Sequence, residues 1–176
     1  MIFDLFKYIF GELENRNIAY LLSGSYALNI YATPRMTMDI DILINLNKAN
    51  LPSFFEIFEN GYNLNKESIQ NDVFARRMFN IIHSETSFKF DFIPKDRSEY
   101  SNSQFSRKRY EKIDGFKALI ISPEDLLISK LRWIQNTGSD FHLRDLENLI
   151  QVQQLDKKYI HNWCDQLNLK TFNLPL

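Results

Sequence analysis

The stretch that decides the fold is residues 21–45, LLSGSYALNIYATPRMTMDIDILIN. It opens with the pair Gly24-Ser25 and closes with Asp39 and Asp41 inside an apolar run that alternates as a strand does. Residues two apart in a strand point to the same face, about 7 Å apart along the chain. The sequence therefore predicts two neighbouring carboxylates on one face of a strand that follows a glycine-serine turn.

Two carboxylates this close indicate a site for a cation. Like charges beside apolar neighbours repel each other and raise each other's pKa unless a cation lies between them. Mg²⁺ prefers one or two carboxylates together with the phosphate oxygens of a substrate. A third candidate ligand is Asp91, at the centre of the strand-like run SFKFDFIP. Three aspartates on neighbouring strands predict a two-metal site that stabilises the attacking and leaving oxygens of an in-line displacement at phosphorus.

The two-metal hypothesis gives each carboxylate an expected role. We expect Asp39 and Asp41 to bind both metal ions and Asp91 to complete the ion that activates the acceptor. Asp91 is also the candidate to take the proton of the acceptor hydroxyl. The simpler alternative is that Asp39 and Asp41 lie on the wet face of a half-buried strand, which is the commoner reason for polar alternation.

The glycine-serine turn also has two interpretations. In the first, free N–H groups at the start of the following helix bind a phosphate, and Gly24 permits close approach of the backbone. In the second, the pair is a simple strand-to-helix turn with Ser25 as the N-cap.

Size and composition exclude several classes of protein. At 176 residues, 44% of them apolar and 24% charged, the chain is long enough for one well-cored domain. The net charge of −1 argues against a protein that coats nucleic acid by charge alone. The lone Cys164 cannot form an intramolecular disulfide, and no Cys/His cluster has zinc-ligand spacing. Without a long apolar window or a basic leader, the sequence predicts a soluble cytoplasmic protein with no membrane partner.

Hydrophobic periodicity and breaker residues predict an α/β (α+β) protein whose mixed β-sheet is flanked by helices. We expect residues 1–121 to form the core and residues 122–176 to form a C-terminal helical region packed on it. The predicted elements are a helix from Ile2 that Asn15 to Asn17 close, strands at 19–22, 39–46 and 116–121, helices at 25–31 and 51–60, strand-like runs at 62–65, 78–84 and 87–93, and helices from Pro123, at about 140–153 and at about 156–168.

Two charged residues fall on the apolar faces of the C-terminal helices. Lys130 lies on the apolar arc of the helix that begins at Pro123 behind the N-cap Ser122, and Asp145 lies on that of the next helix. Both are therefore expected to point inward. They would form a purely structural ion pair between the helices, or Lys130 would reach the β- and γ-phosphates of a nucleoside triphosphate (NTP) while Asp145 orients it or contacts the nucleotide.

The polar segment 96–112 is expected to be an exposed loop or helix. It is either an ordinary solvated face or a platform for acceptor RNA, with Phe105 and Tyr110 available for stacking. Its basic residues are Arg97, Arg107, Lys108, Arg109 and Lys112. The three histidines, His83, His142 and His161, share no spacing and are expected to be surface or packing residues.

Gly24-Ser25, followed by Arg35-x-Thr37-x-Asp39-Ile40-Asp41 and an apolar strand, resembles the signature of the DNA polymerase β-type nucleotidyltransferase superfamily. More narrowly it resembles the AbiEii-like branch, whose members include toxins of toxin–antitoxin pairs. Thirteen residues separate Ser25 from Asp39, a longer spacing than in small antitoxin-like nucleotidyltransferases. The later segments SPEDLLISKLRW and FHLRDLENL are also similar to that branch, although Ser23 stands where the first glycine of the turn is usual.

The resemblance implies a small nucleotidyltransferase fold with a C-terminal helical bundle. It implies transfer of a nucleoside monophosphate from an NTP to a hydroxyl, with Mg²⁺ or Mn²⁺ as cofactor and release of pyrophosphate. The implied partners are the NTP, an RNA acceptor such as a tRNA 3′ end, and a cognate antitoxin. An antibiotic-modifying enzyme of the aminoglycoside or lincosamide type and a catalytically inactive binding module are the alternatives. The residues expected to bind the nucleotide are Gly24, Ser25, Arg35, Thr37, Lys130 and Asp145.

Overall fold

A seven-stranded mixed sheet forms the centre of the computed structural model, which describes residues 2–137 and 140–175. The strand order is β3-β4-β5-β2-β1-β7-β6. Strands β2 and β5 pair in parallel, as do β1 and β7, and the remaining pairs are antiparallel. The strands are β1 (Tyr20–Leu22), β2 (Asp39–Ile44), β3 (Tyr62–Asn63), β4 (Phe79–His83), β5 (Lys89–Pro94), β6 (Arg109–Ile113) and β7 (Phe116–Ile120).

Helices flank this sheet, so the predicted mixed α/β fold class is confirmed. No helix within the described ranges is both long enough and apolar enough to span a bilayer. The division of the chain at residue 121 stays a prediction. The helices are α1 (Ile2–Asn15), α2 (Gly24–Tyr31), α3 (Leu51–Ile57), α4 (Lys66–Phe74), α5 (Glu99–Ser106), α6 (Pro123–Thr137), α7 (Asp140–Leu149) and α8 (Lys157–Gln166).

The core lies against one face of the paired central strands β2 and β5. Ile40, Ile42, Phe90 and Phe92 are fully buried there, and Phe54 of α3 packs edge-on against Phe92 at 5.2 Å between ring centroids. Because successive strand residues face opposite sides, burial of these four residues fixes which residues face away from the core. The acidic residues of β2 and β5 therefore project from the other face of the sheet.

Helix α6 begins as the sequence predicts. The backbone N–H of Asp125 donates to Oγ of Ser122 at 3.1 Å, and Pro123 occupies the first helical position. Capping satisfies one of the free amides of the first turn, and proline has no amide to lose there. This start sets the angular position of Lys130 two turns later, with only 7% of that residue exposed.

Helix α4 and strand β3 differ from the prediction. Helix α4 was not expected, because it buries only Ile69 and Val73 and so lacks an apolar stripe. Asn65 nevertheless caps it, since its side chain accepts from the N–H of Ser68 at 3.0 Å. The strand expected at 62–65 is limited to β3, because the chain turns into α4 there.

The segment 96–112 is not simply an exposed loop or helix. It contains α5, and its end forms β6, which pairs with β7 through a tight turn at Asp114 and Gly115. Both turn residues have positive φ, +40° and +90°, as an Asp-Gly hairpin turn requires. Strand β6 was not predicted because its charged side chains give no apolar alternation, although charged residues are typical of an edge strand.

Candidate active site

A cleft of about 430 Å³ opens at the face of β2 and β5 that points away from the core. The start of α2, helix α6 and His142 of α7 also contribute to its lining. The structure thus brings together nearly all of the predicted site residues. Asp145 is not among the residues that line the cleft, but it contacts Arg35 and Lys130, which are. The predicted residues that line the cleft are Gly24, Ser25, Arg35, Thr37, Asp39, Asp41, Asp91 and Lys130.

The parallel pairing of β2 and β5 determines how the carboxylates are arranged. Asp41 is in register with Asp91, and Asp39 is in register with Lys89. Asp91 is only 5% exposed, and its Oδ1 has no hydrogen-bond partner among the described residues. A buried carboxylate oxygen without a partner is costly unless a ligand, ion or water satisfies it.

Asp41 lies in an environment that disfavours its charge. Burial raises the pKa of Asp41, and repulsion by Asp91 raises it further. The positive charges of Lys130 and Lys89 lower it, but by less. Further positive charge nearby would therefore stabilise the ionised form of Asp41.

Lys89 supplies positive charge to the acidic cluster, which consists of Asp39, Asp41 and Asp91. Its Nζ lies 2.9 Å from Oδ2 of Asp91 and 3.1 Å from Oδ1 of Asp39. The hydrogen bond to Asp91, followed by that to Asp39, raises the pKa of Lys89. The sequence pattern did not single out Lys89, although it lies two positions before Asp91 and so on the same face of β5.

The carboxylates have the chemistry that a hard divalent ion prefers, but they are not arranged as a complete set of ligands. Within residues 2–137 and 140–175, no group of three or more His, Cys, Asp or Glu side chains is arranged to hold a metal ion. Carboxylate oxygens are the donors that Mg²⁺ and Mn²⁺ prefer. The partnerless Oδ1 of Asp91 and the ammonium of Lys89 between two carboxylates both indicate a place for positive charge. The three-carboxylate metal centre stays a prediction.

Gly24 packs directly against the carboxylate of Asp41. Its φ is +59°, and a Cβ at this position would lie 1.8 Å from Oδ2 of Asp41. The backbone N–H of Ser23 donates to the carbonyl of Asp41 at 2.8 Å, which fixes the turn against β2. Only glycine satisfies both the left-handed backbone and the close approach.

The turn leads into α2 with a different cap from the one considered. Ser23 is the N-cap, and Ser25 lies in the first turn of the helix, so Ser25 as N-cap is wrong. Gly24 and Ser25 line the cleft at the end of α2 where backbone N–H groups lack helical partners. A helix start of this kind favours an anionic group such as a phosphate.

Asp145 holds two cations at the same end of the cleft. Arg35 donates to it through Nε and Nη2, each at 3.0 Å, and Nζ of Lys130 donates to Oδ2 at 2.7 Å. Burial alone would raise the pKa of Asp145, but the hydrogen bonds from Arg35 and Lys130 lower it overall. The predicted ion pair between Lys130 and Asp145 is present, and Arg35 is a second partner that the sequence did not indicate.

Arg35 also contacts the glycine-serine turn. Its Nη2 donates to Oγ of Ser25 at 2.5 Å, and its backbone exchanges hydrogen bonds with the side chain of Asn29. Thr37 donates to the carbonyl of Asp39 at 3.2 Å. The segment between α2 and β2 is therefore tied to both elements that border the cleft.

His142 also lines the cleft, although the sequence did not single it out as a site residue. Burial lowers the pKa of His142, and the charge of Lys130 lowers it further. His142 precedes Asp145 by three positions on α7 and thus shares its helix face. That spacing was the signal that could have identified it. Met78 and Trp133, both about half exposed, line the cleft as well.

Part of the basic segment has a structural role. Nη2 of Arg107 lies 3.0 Å from Oε2 of Glu124, and its guanidinium lies 3.9 Å from the ring centroid of Tyr159. Arg109 approaches the same carboxylate at 3.8 Å. These arginines join α5 and β6 to the C-terminal helices.

Solved structures with similar folds include three nucleotidyl-transfer proteins or candidates. ANT(2″)-Ia in complex with adenylyl-2″-tobramycin gives a TM-score of 0.61 at 12% identity, with 94% of this chain and 95% of that chain covered. The lincosamide antibiotic adenylyltransferase LnuA, bound to lincomycin, gives 0.56 at 16% identity, with coverages of 85% and 97%. A candidate nucleotidyltransferase, TM1012 from Thermotoga maritima, gives 0.56 at 13% identity, with coverages of 94% and 93%.

No family model matches the sequence, and no curated protein matches it. At identities of this level the structural likeness extends to the fold alone. The chain therefore has the nucleotidyltransferase fold that the sequence predicted. The narrower assignment to the AbiEii-like branch stays a prediction.

Proposed function

We propose that the protein is a divalent-metal-dependent nucleotidyltransferase. It would transfer a nucleoside monophosphate from an NTP to an acceptor hydroxyl and release pyrophosphate. The observation that carries this proposal is the in-register pair of Asp41 and Asp91, which faces a cleft bordered by the Gly24 turn. Within the nucleotidyltransferase fold, this places paired carboxylates beside a candidate phosphate site.

The triphosphate would occupy the end of the cleft formed by α2 and α6. Backbone amides of Gly24 and Ser25 would hold its oxygens, as helix starts do for phosphates. Arg35 and Lys130 would neutralise the charge that develops as pyrophosphate leaves. Asp145 is the positioning residue, because it contacts both of these cations at 3.0 Å or less.

Asp91 is the proposed base. The acceptor hydroxyl would give its proton to Asp91, and its oxygen would form a bond to the α-phosphorus. The bond from that phosphorus to the bridging oxygen would break, and its electron pair would leave with pyrophosphate. A divalent ion held by Asp39, Asp41 and Asp91 would supply Lewis-acid stabilisation of the phosphoryl oxygens.

The inactive-module alternative is less well supported. It would be favoured if Asp91 pointed away from the other two carboxylates, whereas Asp91 lies beside Asp41 and lines the same cleft. The side chain of Asp39 is 59% exposed, as a wet strand face would predict, but Asp91 is only 5% exposed. These positions favour an active site over an ordinary polar face.

For the acceptor, we propose the 3′ end of an RNA such as tRNA, which would make the protein a toxin restrained by an antitoxin. The resemblance of the sequence to AbiEii-like proteins supports this choice. Lys108, Tyr110 and Lys112, at and beside the edge strand β6, are exposed and supply charge and a stacking surface.

An antibiotic hydroxyl is the second candidate acceptor. It is favoured by the likeness to two solved structures. The structure of ANT(2″)-Ia contains adenylyl-2″-tobramycin, and that of LnuA contains lincomycin. The charged residues lining the described cleft balance, which disfavours a polycationic drug and makes a lincosamide the better candidate. They are Arg35, Lys89 and Lys130 against Asp39, Asp41 and Asp91.

One parallel assay tests the proposed reaction and its acceptor. Purified protein is incubated with Mg²⁺ or Mn²⁺, each α-labelled NTP, and either bulk tRNA, an aminoglycoside or a lincosamide. We expect label in tRNA and none in reactions that contain EDTA. Label in a drug alone would move the acceptor assignment to antibiotics. Absence of label from every acceptor, with no pyrophosphate released, would contradict the proposed function.

Replacement of Lys130 by methionine separates its two possible roles. Because Asp145 keeps both hydrogen bonds to Arg35, we expect the free energy of unfolding to fall by only about 1 kcal/mol, less than when a buried charge loses every partner. The kcat/KM for transfer should fall by about a hundredfold or more, because stabilisation of the leaving charge is lost. Urea unfolding and initial rates measure the two effects. A stable variant with unchanged rates would exclude Lys130 from catalysis.

A further inference from the structure

We propose that Lys89 is a built-in counter-ion that competes with the divalent metal for Asp39 and Asp91, and so couples metal binding to NTP binding. This inference rests on the proposed function. Without nucleotide, Lys89 would occupy the acidic cluster and keep metal affinity low. With nucleotide, Lys89 would release the carboxylates and turn to the new negative charge in the cleft.

The position of Lys89 supports direct competition. Its Nζ is 2.9 Å from one carboxylate and 3.1 Å from the other, which places a single positive charge between Asp91 and Asp39. These are two of the three carboxylates proposed to ligate metal. A divalent ion that binds Oδ2 of Asp91 and Oδ1 of Asp39 would have to displace the ammonium from these oxygens.

Lys89 is the partner that can leave. Its side chain is 36% exposed and has a long flexible stem, whereas the side chain of Asp91 is 8% exposed and lies within the sheet face. The pairing of β2 with β5 fixes the backbone positions of Asp39 and Asp41, while the side chain of Asp39 is 59% exposed. Rotation of the lysine stem would free the carboxylates without any movement of the strands.

The charges explain why nucleotide would favour this exchange. When all four groups are ionised, Asp39, Asp41, Asp91 and Lys89 together carry a net charge of −2. One divalent ion would neutralise this remaining charge and no more. A triphosphate adds several negative charges and gives the displaced ammonium a new partner inside the cleft. Metal and nucleotide would therefore bind with positive coupling, which is reciprocal by linkage.

The plainer alternative is that Lys89 forms an ordinary surface ion pair. Exposed pairs contribute little and do not depend on a bound ligand. Lys66, whose Nζ lies 3.0 Å from Oε1 of Glu59, is such a pair and lines no part of the cleft. Lys66→Met is therefore a matched control for Lys89→Met.

The test measures Mn²⁺ binding to the full chain without nucleotide, from the free-Mn²⁺ signal in electron paramagnetic resonance. We expect Lys89→Met to bind Mn²⁺ at least tenfold more tightly than wild type, which corresponds to about 1.4 kcal/mol. Lys89→Arg and Lys66→Met should stay within about twofold of wild type. A non-hydrolysable NTP analogue should tighten Mn²⁺ binding by wild type much more than by Lys89→Met.

Equal or weaker Mn²⁺ binding by Lys89→Met would overturn the proposal, as would undetectable binding by both proteins. Circular dichroism checks that the variant is folded, and Lys89→Gln replaces it if it is not. Nucleotidyl transfer by wild type is measured separately. An active wild type with equal Mn²⁺ affinities refutes only the role of Lys89, whereas a wild type without transfer refutes the proposed function.

Discussion

Asp41→Asn is expected to lower kcat/KM for nucleotidyl transfer by about a thousandfold or more, because it removes a charged ligand from the centre of the acidic cluster. Asparagine keeps the size of the side chain and its fit against Gly24, so the cleft should remain intact. Steady-state rates with Mg²⁺ and labelled NTP measure the loss. Asp114→Asn, in the exposed turn between β6 and β7, is the matched control and should leave the rate unchanged.

The stability of the same variant should change in the opposite direction. The pKa of Asp41 is raised in the folded protein, first by burial and then by Asp91, so its protonated form favours folding. This contribution is present below the ordinary carboxyl pKa and is lost as the pH rises through the raised value. At pH 7 without metal, Asp41→Asn should therefore be at least as stable as wild type. A large fall in Tm together with lost activity would instead indicate a structural role.

Gly24→Ala is the second change with a large expected effect. The left-handed backbone costs alanine about 1–2 kcal/mol, and overpacking against the carboxylate of Asp41 costs about 1–3 kcal/mol more. We expect a total loss of roughly 2–5 kcal/mol in the free energy of unfolding. Transfer should fall by about a hundredfold or more, because the added methyl group displaces Asp41. Chemical denaturation and initial rates measure the two losses.

Gly115→Ala separates backbone strain from the collision with Asp41. Gly115 has φ +90°, and no atom lies within 4 Å of a Cβ added there. This variant should lose only the strain, about 1–2 kcal/mol, and keep its activity. Equal losses of stability and rate in the two alanine variants would show that contact between Gly24 and Asp41 is unimportant.

The sequence could predict the parts of the site that depend on local geometry. Strand alternation placed Asp39 and Asp41 on one face, and helical spacing turned Lys130 and Asp145 inward. It could not predict that Asp41 pairs with Asp91 rather than with another residue of β5, because register depends on contacts across the sheet. The ion pair between Arg35 and Asp145 could not be predicted either, because it joins residues 110 positions apart and produces no local sequence pattern.

The features that the sequence did not predict fall into two groups, site residues and secondary-structure elements. Lys89 and His142 could have been found, since each shares a strand or helix face with a residue already singled out. Helix α4 was harder, because its few buried residues give no periodic signal and its stability depends on a cap and on packing against β4. Strand β6 was concealed by its charges, although Asp114-Gly115 marked its turn.

The most direct test of the central claim is anomalous diffraction from crystals grown with Mn²⁺ and a non-hydrolysable NTP analogue. The proposed function predicts a manganese peak in contact with the carboxylates of Asp41 and Asp91, with the triphosphate reaching the start of α2 and Lys130. A nucleotide bound elsewhere, or manganese absent from those two carboxylates at saturating concentration, would contradict it.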